Sequence, residues 1–150
     1  MQITGQHDFT ASPDEVWAAI CDPSILKSCI AQCEEIRQLS ATEWHGSAKV
    51  KIGPLGVPFK GIILLSNVVP ATSYTINITA TSWVGTSHGS ADVSIAPGDK
   101  GTTLAYTANV AIGIKMLDKA MGLASDVANR LAISFFNRLN DEIIRRRSAL

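Results

Sequence analysis

The hydrophobic pattern of the chain changes its period once, near Gly113. Before that point apolar and polar residues alternate, as they do in half-buried strands, and after it apolar residues recur every three or four positions, as on one face of a helix. The change predicts a sheet followed by one long helix over residues 115–147, roughly 45–50 Å in length at about 1.5 Å per residue. The predicted apolar stripe of this helix is Leu117, Met121, Ala124, Val127, Leu131, Phe135, Leu139 and Ile143.

Two helix-start signals follow a first predicted strand, in which Ile3, Gly5, His7 and Phe9 alternate with polar residues from Gln2 to Thr10. In Ser12-Pro13-Asp14-Glu15, serine is a favoured N-cap, proline suits the first helical position, and glutamate completes a capping box. Asp22-Pro23 repeats the cap and the proline. The sequence therefore predicts two short helices, which form a helical elbow near residues 13–30.

From residue 34 to residue 113 the alternation continues, with turn signals such as Gly53-Pro54 and Pro97-Gly98. About six strands joined by tight turns predict an antiparallel meander, and helices gathered at the two ends of the sheet region predict an α+β fold. Around Ile62 and Leu64 both faces of the strand are apolar, so alternation alone leaves its inward face open. We expect a single domain over residues 1–150, in which a curved sheet wraps around the long helix.

Composition excludes several classes of partner. Acidic and basic residues balance at 13 each, so the chain lacks the basic surplus expected of a nucleic-acid-binding protein, and its composition shows no polybasic field for anionic lipid. The first residues do not resemble a signal peptide, and the run from Gly61 to Leu65 is too short to span a bilayer, so we expect a cytoplasmic protein. Cys21, Cys29 and Cys33 fit no zinc spacing and are interpreted as reduced, buried thiols.

The predicted inward face carries very little acid–base chemistry. It contains no Asp, Glu, Lys or Arg, and His7 is the only histidine that shares its parity. General acid–base catalysis needs a titratable group within reach of the reacting atom, whereas an apolar wall with two phenols, Tyr74 and Tyr106, suits an apolar ligand held by a few polar contacts. His45 and His88 fall at polar positions, which argues against a metal site of three histidines.

The two halves of the predicted helix differ in residue size. The first half contains Met116, Ala120, Met121 and Ala124, whereas bulky residues such as Phe135 dominate the second half. Small or pliant residues at one end indicate either a closer approach of helix and sheet or a cavity there. If a cavity forms, the predicted ligand-binding residues are Phe9, Trp17, Leu26, Ile30, Val50, Phe59, Ile63, Tyr74, Ile76, Val93, Tyr106, Met116, Ala120, Met121 and Ala124.

The stretches from Ser12 to Trp17 and from Asp22 to Glu34 resemble the opening of the carbon monoxide dehydrogenase G-subunit family. Val50-Lys51-Ile52-Gly53-Pro54, Phe59-Lys60-Gly61 and Gly101-Thr102-Thr103-Leu104 extend the resemblance over nearly the whole chain. The family belongs to the START/Bet v 1-like (SRPBCC) superfamily, so the resemblance implies its helix-grip fold. One departure stands out, because the family usually has Pro-Gly where this chain has Ala31-Gln32. Many members also continue into a membrane-seeking tail, whereas this sequence stops at Leu150.

The resemblance implies a non-catalytic role. Family members are associated with molybdenum hydroxylase-type dehydrogenases and are thought to recruit the enzyme to the membrane or to carry a quinone to it. The implied partners are therefore a hydrophobic small molecule, either a quinone or a lipid, and the dehydrogenase subunits. No resident cofactor is implied, and contact would be peripheral, at the inner membrane surface.

Two other functions remain open on the sequence. The chain could be a small hydrolase or cyclase of the same superfamily that uses His7 or a tyrosine. It could also be a protein-interaction subunit whose core is filled. The lack of inward carboxylates favours the binding module over the enzyme.

Overall fold

A computed structural model describes residues 1–52, 54–114 and 121–148. Within these residues, seven strands form one antiparallel sheet in the order β1-β7-β6-β5-β4-β3-β2. The strands are β1 (Gln2–Phe9), β2 (Cys33–Ser40), β3 (Glu43–Ile52), β4 (Leu55–Val69), β5 (Ser73–Ser82), β6 (Gly85–Gly98) and β7 (Gly101–Ile114). The helices are α1 (Pro13–Cys21), α2 (Pro23–Cys29) and α3 (Met121–Ser148). The predicted α+β helix-grip fold is confirmed; the predicted first turns of the long helix, residues 115–120, lie outside the described residues.

Both predicted helix caps are present in the elbow. The amide of Glu15 donates to Ser12 Oγ at 3.3 Å, and the amide of Ser12 donates to Glu15 Oε1 at 3.2 Å, which together form the capping box. Asp22 Oδ1 accepts from the amide of Ser24 at 2.9 Å and so caps α2. The hydrogen bond from the Ser12 amide lowers the pKa of Glu15, and the Ser24 hydroxyl, which donates to Asp22 Oδ1 at 2.8 Å, lowers the pKa of Asp22 together with the Ser24 amide. The elbow is therefore stabilised locally, by the residues that its sequence supplies.

The last turns of α3 contact the elbow. Arg147 Nε lies 3.4 Å from Glu15 Oε2, and Arg146 Nη2 donates to Ser24 Oγ at 3.3 Å. Leu139 and Ile143, one turn apart on the same helix, are buried in the main core. The end of the long helix is thus fixed between elbow and sheet, and its basic residues make specific contacts in addition to matching the helix dipole.

The structure settles which face of β4 is inward. Val57, Phe59 and Leu65 are buried, whereas Ile62 and Leu64 are 40% and 42% exposed. Ile63 is partly buried and packs against the main core. The odd-numbered residues of this strand therefore face the helix, a choice that alternation between two apolar sets could not make.

The turn between α2 and β2 keeps its tight geometry without glycine. Gln32 adopts a φ of 57°, in the left-handed region that glycine occupies at little cost. Its carbonyl oxygen accepts from the amide of Lys49 at 3.1 Å, which fixes this turn to β3. This chain therefore forms the turn with Ala31-Gln32, and the left-handed conformation places strain on a non-glycine residue.

Replacing Gln32 by glycine should therefore stabilise the protein. The left-handed conformation costs a non-glycine residue roughly 1–2 kcal/mol, part of which the greater chain entropy of unfolded glycine cancels. We expect a net gain of about 0.5–1 kcal/mol in the free energy of unfolding, measured by urea denaturation. Gln38→Gly, at an exposed position in β2, is the control and should destabilise instead. Equal losses in both variants would contradict the assignment of strain to Gln32.

Candidate ligand-binding cavity

A cavity of about 360 Å³ lies between α3 and the strands β2 to β7. Helix α3 closes one side with Val127, Ala128, Leu131 and Phe135, and the segment that joins α2 to β2 closes another. The volume falls within the roughly 300–1,000 Å³ of small-molecule sites. The remaining lining residues are Cys29, Ile30, Ala31, Cys33, Ile36, Gly46, Ser47, Ala48, Val50, Phe59, Gly61, Ile63, Ile78, Ala80, Ser87 and Val110.

A row of small residues across four neighbouring strands forms the sheet side of the cavity. Gly46 of β3 pairs with Gly61 of β4, Gly61 with Ala80 of β5, and Ala80 with Ser87 of β6. All four residues line the cavity. Cross-strand partners point to the same face, so the row removes side-chain volume along one continuous line opposite the helix. The register of the sheet, which aligns these four small residues, therefore contributes directly to the cavity.

The other end of the space between helix and sheet is filled by aromatic rings. The ring of Phe136 stacks on Tyr106 at 5.5 Å and on His7 at 5.7 Å between centroids, and it meets Phe9 edge-on at 6.5 Å. Gly5 makes room for the phenol, because a Cβ at Gly5 would lie 2.5 Å from Tyr106 Oη. This end is therefore close-packed core, and the cavity is confined to the part nearer the start of α3.

The described lining of the cavity has almost no acid–base chemistry. It contains no Asp, Glu, Lys, Arg or His among the described residues, and its polar side chains are those of Ser47, Ser87 and two cysteines. Burial raises the pKa of the Cys29 thiol to about 11, and burial likewise raises the pKa of Cys33. Both thiols are therefore protonated near neutral pH, which makes them weak nucleophiles.

Among the described lining residues, Ser87 is the one whose side chain has a buried and unpartnered polar atom. Its Oγ is closed off from solvent and has no hydrogen-bond partner in the described part of the chain. After rotation about χ1, a hydroxyl in this position can form a hydrogen bond with a carbonyl or hydroxyl group of a ligand. The cavity thus offers an apolar wall with a buried hydroxyl on its sheet side.

The residues predicted for binding divide between the cavity and the packed core. The fold brings four of the predicted residues together in the lining of the cavity: Ile30, Val50, Phe59 and Ile63. Met116 and Ala120 lie outside the described residues, and Met121 and Ala124 lie in α3 at positions whose side chains are not described. The remaining seven lie in the main core cluster or pack against it: Phe9, Trp17, Leu26, Tyr74, Ile76, Val93 and Tyr106. The two phenols are therefore core residues, and the binding role of the other residues stays a prediction.

The proposed catalytic alternatives do not meet in the cavity. His7, Tyr74 and Tyr106 are absent from its described lining, and Tyr74 packs on Trp17 with ring centroids 5.4 Å apart. Burial lowers the pKa of His7, against the opposing charge of Asp8, and burial raises the pKa of Tyr74. Both side chains are thereby held in their neutral forms within aromatic surroundings.

Sequence reasoning missed the small strand residues that create the space. Gly46, Gly61, Ala80 and Ser87 share the inward parity, but each looks unremarkable within its own strand. The available signal was their small size at inward positions on four consecutive strands. Only the register shows that the four lie side by side.

Metal-binding clusters and membrane-spanning helices are both absent from the described residues. No group of three or more His, Cys, Asp or Glu side chains in residues 1–52, 54–114 and 121–148 is placed to hold a metal ion. Over the same ranges, no helix combines the length and the apolar character needed to cross a membrane.

Comparison with known proteins gives a family match over most of the chain. The family described as the carbon monoxide dehydrogenase G subunit (CoxG) matches residues 5–144. No curated protein matches the sequence.

Solved structures share the fold at low sequence identity. A conserved protein from Geobacillus kaustophilus is 23% identical, with a TM-score of 0.89 over 97% of this chain and 96% of its own. A protein from Mycobacterium smegmatis is 13% identical, with a TM-score of 0.75 over 97% of this chain and 92% of its own. One from Thermus thermophilus is 12% identical, with a TM-score of 0.72 over 97% of this chain and 99% of its own. At these identities the likeness establishes a shared fold.

Proposed function

Because the chain belongs to the CoxG family of carbon monoxide dehydrogenase subunits, we propose that it binds a quinone or a related lipid without catalysing a reaction. The observation that carries the proposal is the apolar cavity of about 360 Å³ between α3 and the row of small strand residues. A cavity of this size accommodates a ring with part of its tail. Moving that apolar surface out of water would contribute roughly 25 cal/mol per Å² buried, before the costs of binding.

The composition of the cavity supports carriage over catalysis. Its described lining has no carboxylate, imidazole, ammonium or guanidinium group, and its thiols are protonated near neutral pH. A neutral ring that bears carbonyl oxygens needs only an apolar wall and one or two hydrogen-bond donors, and the Ser87 hydroxyl is a suitable donor. His7, one of the candidate bases in the enzyme alternative, stacks on Phe136 in the packed core.

Family membership supports the further role that we propose for this carrier. The family description names a subunit of carbon monoxide dehydrogenase, so the implied partner is a molybdenum hydroxylase-type dehydrogenase. In this proposal the protein works on the cytoplasmic side of the inner membrane. It takes a quinone from the bilayer and shields the apolar tail on the way to the enzyme.

Filling the cavity should abolish or strongly weaken ligand binding. A Cβ at Gly61 would have its nearest neighbour, the Thr79 carbonyl oxygen, at 3.9 Å, so the backbone has room for a side chain there and Gly61→Leu should direct it into the cavity. We expect the affinity for decyl-benzoquinone, measured by isothermal titration calorimetry, to fall at least tenfold, which is about 1.4 kcal/mol. The loss follows because the new side chain occupies space that the ring or tail would fill.

Gly56→Leu is the matched control for this experiment. A Cβ at Gly56 meets no atom within 4 Å, and Gly56 does not line the cavity, so its affinity should equal that of the wild type. Circular dichroism should show both variants folded. No binding of the quinone to the wild type, or equal affinity in the two variants, would reject the proposal and favour a protein-interaction subunit.

A further inference from the structure

The turns at one end of the sheet expose apolar side chains beside the cavity. The β3–β4 and β5–β6 hairpins lie next to each other, because β4 pairs with β5, and both turn at the same end. Trp83, in the second turn, is 71% exposed, the largest exposure among the described large apolar side chains. Leu55, beside the first turn, is 40% exposed. We call Pro54, Leu55, Trp83 and Val84 the hairpin tips.

The turn that carries Trp83 is held by hydrogen bonds and lies close to the cavity wall. Ser82 Oγ donates to the Gly85 carbonyl oxygen at 3.1 Å and accepts from the Val84 amide at 3.2 Å, so the turn that carries Trp83 is fixed. Val84 packs against Val57 and Phe59, and Phe59 lines the cavity. The exposed tryptophan therefore stands on the structure that forms one end of the cavity.

The charge around the hairpin tips has one sign. From residue 44 to residue 91 the chain has no Asp or Glu, and its charged residues there are Lys49, Lys51 and Lys60. The register places these lysines together on the outer face of the β3–β4 hairpin, where all three are exposed. Lys49 lies 4.0 Å from Glu34 of β2, whereas Lys51 and Lys60 have no carboxylate partner among the described residues. The hairpin therefore presents uncompensated positive charge.

Helix α3 adds a further cation to this end of the molecule. Arg130 Nη2 donates to the carbonyl oxygen of Lys51 at 2.9 Å, so the guanidinium is held against the same hairpin. Asp126, exposed one turn earlier, is the acidic residue on that part of α3. Among the described residues the charge at this end is therefore mainly basic, although the whole chain has no net charge.

We propose that the hairpin tips dock the protein on an anionic bilayer surface, with Trp83 inserted at the headgroup level and Lys51 and Lys60 against anionic lipid. The proposal rests on the proposed function, since it supplies the step at which a quinone or lipid passes between bilayer and cavity. Tryptophan favours the membrane interface because its ring is apolar and its N–H is polar. Each lysine near an anionic surface strengthens the electrostatic attraction to it, and this attraction needs no specific contact geometry.

The test measures binding to vesicles of phosphatidylcholine alone and of phosphatidylcholine mixed with phosphatidylglycerol, by co-sedimentation. The wild type should bind the mixed vesicles more tightly, and its tryptophan emission should shift to shorter wavelength on binding, a shift that Trp83→Ser should lack. Trp83→Ser should lower the partition coefficient about tenfold, because it removes most of the inserted apolar area. Lys51→Gln/Lys60→Gln should lower binding to mixed vesicles several-fold and leave binding to neutral vesicles unchanged.

Matched variants at the opposite end of the sheet control for general surface effects. Leu39 and Val69 are each 51% exposed, near the β2–β3 and β4–β5 turns, so Leu39→Ser and Val69→Ser should keep full binding. Lys27→Gln/Lys100→Gln makes the same change in charge away from the hairpin tips and should also bind fully. Equal losses in the control and hairpin variants would overturn the proposal.

Two further results separate this proposal from the proposed function. Trp83→Ser should keep the wild-type affinity for decyl-benzoquinone in solution, so that loss of docking is distinguished from loss of the cavity. If the quinone binds but no vesicle does, the docking proposal is wrong while the proposed function stands. If the hairpin variants bind vesicles normally but lose binding to a dehydrogenase, the surface contacts protein and the docking proposal is again wrong.

Discussion

Leu139→Ala is expected to destabilise the protein by about 3 kcal/mol, within the range of roughly 2–5 kcal/mol for leucine-to-alanine changes in a core. Leu139 is 0% exposed and belongs to the cluster in which α3, the elbow and the sheet meet. Alanine would leave a void between α3, the elbow and the sheet. Because hydrogen bonds hold these elements in place, they cannot all move inward to fill the void. The free energy of unfolding is measured by urea denaturation, and the melting temperature should fall by roughly 6–12 °C.

Ile133→Ala on the same helix is the control for this change. Ile133 is 59% exposed, so its truncation should cost less than about 0.5 kcal/mol beyond any change in helix propensity. The comparison isolates burial, since both substitutions replace a large aliphatic residue of α3 with the best helix former. A loss at Leu139 no larger than at Ile133 would contradict the position of α3 against the sheet.

Local signals in the sequence predicted most of the architecture. The capping residues Ser12, Glu15 and Asp22 act on amides within three residues, so their effect does not depend on the rest of the fold. The period of the apolar residues likewise depends on neighbours along the chain. These local features therefore suffice to predict the elbow, the strands and the long helix without knowledge of the contacts between them.

The position of the cavity could not be predicted in the same way. Alternation shows which face a residue is on, but it does not show how far along the sheet the residue lies. Tyr74 and Tyr106 are inward, as predicted, yet they pack against Trp17 and Phe136 in the core and not in the cavity. The position along the sheet is set by turn lengths and by irregularities such as the register shift between Ser66 and Val69.

The β4 strand shows a second limit of the sequence pattern. Ile62 and Leu64 are as apolar as Ile63 and Leu65, so the inward face was decided by packing against the core. A one-residue shift would have exchanged the faces and moved Gly61 away from Gly46 and Ala80. The cavity and the choice of inward face on β4 are therefore consequences of the same register.

Gly101→Ala should lower the stability of the protein at least as much as Leu139→Ala. Gly101 begins β7 with a φ of 141°, and a Cβ there would lie 2.6–2.8 Å from the carbonyl oxygens of Phe9, Thr10 and Ala11. These atoms belong to the backbone and cannot rotate away, so β1 and β7 would have to separate where they meet. Strain and overpacking each cost roughly 1–3 kcal/mol, so we expect a loss of about 3 kcal/mol or more in the free energy of unfolding.

Gly89→Ala is the control for adding a Cβ to a glycine of the sheet. Thr102→Val is a milder change beside Gly101, and it tests the same contact if Gly101→Ala fails to fold. A Cβ at Gly89 meets no atom within 4 Å, so alanine there should be neutral or slightly stabilising. Thr102 is 1% exposed and its Oγ1 donates to the Ala11 carbonyl oxygen at 2.6 Å, so valine should cost roughly 1–3 kcal/mol by leaving that acceptor unpaired. Unfolding in urea measures all three variants. Full stability of Gly101→Ala would show that β1 does not end against this turn, because no small adjustment clears three backbone oxygens.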